Sequence, residues 1–178
     1  MEMRPPPRRR RALSADRSAI NARLATIPRA YEELLAAAAR LGEPLVAEAV
    51  ARAGRSDDPA LRNVAGALER AIEKLVNFLV EVADRGLREA ERAGHASATT
   101  SGRSFERLRE AGLLSPGQRD RLTELIDVRN LIQHDYVAVA PEQIVGAVEI
   151  LRADLHSLVR VLDGWLREVD GGSPPRGR

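Results

Sequence analysis

The chain has 178 residues, 44% of them hydrophobic but only 3% aromatic, a formal net charge of +2 and no cysteine. That length suits one domain with a real core, and the absence of cysteine excludes both a disulfide framework and a thiolate metal site. No apolar run approaches the roughly 20 residues that span a bilayer, and no signal-peptide core follows the N-terminal Arg and Pro residues, so a cytoplasmic protein is expected.

The positive charge sits at the ends. Residues 1–11 hold five Arg against Glu2, and the segment from Ser173 adds Arg176 and Arg178, which leaves residues 12–172 at −4. The folded part therefore carries no general attraction for nucleic acid, and any RNA contact it makes must be local. Pro5-Pro6-Pro7 and the run Arg8 to Arg11 cannot build a core. Residues 1–12 and 171–178 read as tails, and residues 13–170 as one folded domain.

Ser14 is placed to cap a first helix, with Asp16 in its first turn. Ile20, Leu24, Ile27, Tyr31, Leu34 and Leu35 recur at spacings of three and four, the mark of an amphipathic helix. Pro28 predicts a kink or interruption, and Gly42 with Pro44 a stop near Leu41. Residues 45–53 could add a short helix. Asp58-Pro59 is a clear start, a cap followed by Pro at the first helical position. The stripe Leu61, Val64, Leu68, Ile72, Leu75, Leu79, Val82 then runs to about Gly86, widened by Val76 and Phe78 into the pattern of a central helix buried on several sides.

Residues 91–104 read as a loop in which His95 is an exposed residue. Phe105 and Leu108 suggest one or two helical turns ending at Gly112. Ser115-Pro116-Gly117-Gln118 is a capping box with Pro at the first position, and it opens a helix bearing Leu122, Leu125, Ile126 and Val128. Pro141 opens the last helix, whose buried face is Ile144, Val148, Leu151, Leu155, Leu158, Leu162 and Trp165. His156 falls on its other side with Arg152, Arg160 and Asp163, as a surface residue. The only strand-like stretch is Val137-Ala138-Val139. The fold class is all-α, an antiparallel bundle of four to five helices.

Chemistry concentrates in Arg129-Asn130-Leu131-Ile132-Gln133-His134-Asp135-Tyr136, at the end of the capped helix. Arg129 continues the apolar stripe of Leu122, Leu125 and Ile126, so it must find a partner or line a cleft. Asn130 and His134 are four apart, hence neighbours. Arg129 and His134 are about 140° apart around the axis and roughly 7.5 Å along it, and flank a site rather than touch. A second copy across a dimer axis would supply the complementary half. A neutral His can take the proton of a ribose 2′-hydroxyl, and an Arg can hold a phosphate and the charge developing on it. No carboxylate cluster suggests a two-metal site. Spacing alone leaves a satisfied surface pair as the plainer reading.

This segment resembles the Arg-x4-His-x-Tyr motif of HepT-like toxins in the HEPN superfamily. The likeness extends to Arg62–Arg85, similar to the family's long second helix, to Phe105–Leu114, similar to its F-x-x-L-x-x-x-G-hydrophobic segment, and to the motif helix from Arg121, covering about residues 14–168. The resemblance implies a HEPN-like bundle that forms a homodimer with the motifs facing one another. It implies a metal-independent endoribonuclease acting on RNA without a cofactor, with Arg129 and His134 catalytic and Asn130 assisting. It also implies a toxin–antitoxin pair, in which an MntA-like nucleotidyltransferase antitoxin transfers AMP onto Tyr136. Gln133 departs from the pattern, standing where the family more often has a small or apolar residue. Two other readings stand beside this one: a catalytically silent HEPN module that partners a nucleotidyltransferase, and a plain helical adaptor.

Overall fold

A computed structural model describes residues 15–94, 104–134 and 139–171. Among these residues there are six helices and no strand: α1 (Ala15–Leu41), α2 (Ala47–Gly54), α3 (Pro59–Arg92), α4 (Ser104–Glu110), α5 (Pro116–Gln133) and α6 (Pro141–Gly171). The four long ones form the bundle, and α2 and α4 are the short segments expected around residues 45–53 and 105–112. Ser14, His95, Tyr136 and most of the Val137–Val139 stretch lie outside the described residues.

Local chemistry sets most of the boundaries. Asp58 caps α3 by accepting from the Ala60 amide at 2.9 Å, and Pro59 gives up an amide that has no helical partner there. Ser115 and Gln118 cap α5 reciprocally: the Gln118 amide donates to Ser115 Oγ at 3.2 Å, and the Ser115 amide to Gln118 Oε1 at 3.0 Å. Gly112, at φ +73°, takes the left-handed conformation that closes α4.

Two boundaries differ from the sequence pattern. α1 passes through Pro28 as one helix, with Ile27 and Ala30 buried on either side of it. α3 does not stop at Gly86 but continues to Arg92. Gly86 is a packing residue: a Cβ there would stand 2.7 Å from Cζ3 of Trp165, so the missing side chain is the seat of the α6 indole.

α3 packs against all five other helices, as its wide stripe requires. Leu68, Ile72 and Leu75 are fully buried, each contributing about 1.5–3 kcal/mol of hydrophobic stabilisation. Polar pairs fix the directions. Near one end Asp16 of α1 meets Arg85 and Arg92 of α3, and further along Glu33 meets Lys74, so the two helices are antiparallel. Gln133 at the end of α5 meets Glu73 in the first half of α3, and Arg121 of α5 meets Asp154 of α6. Successive long helices alternate in direction, which brings the end of α5 and the start of α6 beside α2 and the first half of α3.

Candidate functional site at the end of α5

The helix that carries the motif ends one residue before His134. His134 has left helical geometry (φ −96°, ψ 87°), and its amide donates back to the carbonyls of Asn130 at 3.1 Å and Leu131 at 3.2 Å. Its side chain is exposed at the tip. α6 restarts at Pro141, where the Ala140 amide donates to Gln143 Oε1 at 3.1 Å.

Arg129 is half-buried one and a half turns back from that tip. Its Nη1 donates to Gln133 Oε1 at 2.9 Å, and Gln133 Nε2 donates to Glu73 Oε1 at 3.0 Å. A neutral amide thus stands between the guanidinium and the carboxylate. Arg129 Nε is buried and has no hydrogen bond among the described residues. A buried N–H without a partner is costly, which makes this donor an unmet demand for an acceptor inside the described residues.

Asn130, half-buried, precedes Leu131 on the same turn, and the expected nearness of Asn130 and His134 takes the form of the backbone bond between them. Arg129 and His134 do not pair with each other. The structure adds two residues that the motif did not single out as site residues, Gln133 and Glu73. Gln133 lies four residues after Arg129, a spacing at which helical side chains meet, so this contact was accessible from sequence. Glu73 stands 60 residues away, and no local signal points to it.

The surroundings are acidic rather than basic. Besides Glu73, α3 carries Glu69 one turn earlier, half-buried; burial raises its pKa above the ordinary carboxylate value, and Arg70 offsets part of that. Among the described residues no group of three His, Asp or Glu side chains stands close enough to hold a metal ion. None of the described helices is long and apolar enough to cross a membrane.

Residues 35–162 match the family described as Ribonuclease HepT-like, a span that contains α2 to α5, the last two turns of α1, most of α6, and the entire Arg129–Tyr136 motif. The chain belongs to the HepT-like ribonuclease family. The all-α HEPN-like bundle follows from that membership and from the helices seen here. In a HepT-like ribonuclease the substrate class is RNA. No curated protein and no solved structure matches the chain significantly.

Proposed function

We propose that the chain is the toxin of a toxin–antitoxin pair, a metal-independent endoribonuclease whose site is built where the ends of two α5 helices face each other in a homodimer. The observation that carries this reading is Arg129, held by a neutral amide with its buried Nε unpartnered, five residues before an exposed His134. Arg129 holds the phosphate through its guanidinium and stabilises the negative charge that grows on it. His134 accepts the proton of the ribose 2′-hydroxyl, whose oxygen attacks the adjacent phosphorus as the 5′-oxygen leaves. Asn130 donates a further hydrogen bond to the substrate backbone. Because Arg129 and His134 project in different directions from one helix, each completes its site with the opposite residue of the second copy.

The antitoxin in this reading is an MntA-like nucleotidyltransferase that places AMP on Tyr136. The added phosphate brings negative charge and bulk next to Arg129 and repels the RNA backbone. A catalytically silent module would keep the transferase contact and lose the cutting.

Purified protein incubated with end-labelled RNA in excess EDTA separates the two. The expected result is cleavage leaving 2′,3′-cyclic phosphate and 5′-hydroxyl ends, reduced about 10²–10⁴-fold by His134→Ala. Wild-type protein with no cleavage, or His134→Ala with full cleavage, contradicts the nuclease reading. For the antitoxin, co-expression with a nucleotidyltransferase encoded next to this chain should raise the intact mass by whole AMP units, and Tyr136→Phe should abolish the increment. An increment that survives Tyr136→Phe would place the modification elsewhere.

A further inference from the structure

A cavity of about 510 Å³ opens at the foot of the motif helix, between α2, α3, the last turn of α5 and the start of α6. Leu131 and Ile132 form one wall, and Val50 and Ile144 face them. Glu69 supplies a carboxylate and Arg55 an exposed cation at the rim, and the two do not pair. We propose that this cavity takes the nucleobase next to the phosphodiester that is cut, and that Glu69 selects guanine there. The link to a cut phosphodiester rests on the ribonuclease reading above; the guanine site itself does not.

Position argues first. Leu131 and Ile132 follow Arg129 by two and three residues, within one helical turn along the axis, with Ile132 about 60° and Leu131 about 160° around the helix from it. On α3, Glu69 and Glu73 are four residues apart and share a face, about 6 Å from each other along the axis. Glu73 is the acceptor for Gln133, which in turn holds Arg129. The cavity, the Gln133 amide and the Arg129 guanidinium therefore follow one another along the junction of α3 and α5. A base seated in the cavity would direct its own phosphate past Gln133 toward the guanidinium.

Chemistry then chooses the base. The Glu69 carboxylate is half-buried, and no hydrogen bond reaches it among the described residues. Burial raises its pKa, which marks a charge short of donors. Guanine offers N1–H and the N2 amine side by side, two parallel donors for two carboxylate oxygens. Adenine and cytosine each set one amine beside a bare ring nitrogen, which would turn a lone pair toward the second oxygen. Uracil sets its single N–H between two carbonyls. The apolar walls cover the faces of any base, so the discrimination falls to Glu69.

Two measurements on the full chain test this. In the first, the 3′-monophosphates of guanosine, adenosine, cytidine and uridine are titrated into the protein and followed by NMR. Guanosine monophosphate should bind at least tenfold more tightly than the others, and the near-isosteric Glu69→Gln should erase that preference without lowering Tm. In the second, cleavage sites are mapped on RNA of mixed sequence. Cuts should cluster beside G, weaken about tenfold when that G is replaced by inosine, which lacks the N2 amine, and lose their bias in Glu69→Gln. Equal binding of the four nucleotides, or a G preference that persists in Glu69→Gln, overturns the proposal. Cleavage without base bias removes the guanine site and leaves the ribonuclease. Selective guanosine binding by a protein that cuts no RNA removes the ribonuclease and leaves the guanine site.

Discussion

Arginines at two places in this molecule have opposite environments. Where α1 starts beside the end of α3, Asp16 is 9% exposed and is met by Arg85 at 2.8 Å, Arg92 at 2.8 Å and Arg88 at 3.5 Å. Arg85 also bonds Glu81, and Arg92 bonds Glu89. Burial works against the Asp16 charge, but the hydrogen bonds from Arg92, Arg88 and Arg85 outweigh it and hold the carboxyl below its ordinary value. At the end of α5, Arg129 meets no carboxylate among the described residues and is oriented by a neutral glutamine. In the first arrangement the positive charges are neutralised by carboxylates, while in the second the guanidinium is held by a neutral amide and its charge is not.

The comparison breaks most sharply at Gln133. Gln133→Glu converts the neutral contact into an ion pair, gives Arg129 a carboxylate partner as Arg85 has, and replaces the bond to Glu73 with a carboxylate contact that Arg129 must bridge. RNA cleavage should then fall at least about tenfold with Tm little changed, because Gln133 is exposed. Gln133→Met, which leaves the charge but frees the side chain, should lower kcat by a smaller factor with KM nearly constant. Unchanged cleavage in Gln133→Glu would mean that the amide has no part in positioning Arg129.

The smaller effect lies at the other cluster. Asp16→Asn takes the shared negative charge away from three guanidiniums and should lower Tm by roughly 2–6 °C while leaving RNA cleavage intact. A folded-state pKa below the ordinary 3.8 means that the contribution of Asp16 is complete above that value and is lost as pH falls through it. Tm of wild type and Asp16→Asn should therefore converge on acidification. Burial shifts Asp84 the other way, with Arg88 and Arg107 opposing it only in part, so protonating that carboxyl relieves a cost. Parallel Tm curves for wild type and Asp16→Asn down to the acid limit would remove Asp16 from the account of stability.

What the sequence made legible follows the same division between local and distant causes. Asp58-Pro59, Ser115 with Gln118, and Pro141 each start a helix through contacts within three residues, and each is readable in order along the chain. Gly86 was misleading because its reason, the Trp165 indole, is 79 residues further on. At Pro28 the interruption does not occur: α1 runs unbroken from Ala15 to Leu41, with Ile27 and Ala30 buried on either side. At the site, the motif supplied Arg129, Asn130 and His134, and it marked Gln133 only as a departure from the family pattern. The role of Gln133 depends on Glu73, whose nearness is a product of α3 and α5 packing together.

One cleavage site is proposed to take its guanidinium and its imidazole from two different copies of the chain. Mixing equal amounts of two inactive variants, Arg129→Ala and His134→Ala, with time for subunits to exchange, tests it directly. Half of the dimers should then be mixed, each with one intact site out of two, and cleavage should return to about a quarter of the wild-type rate. A mixture as inactive as its two components would contradict the claim.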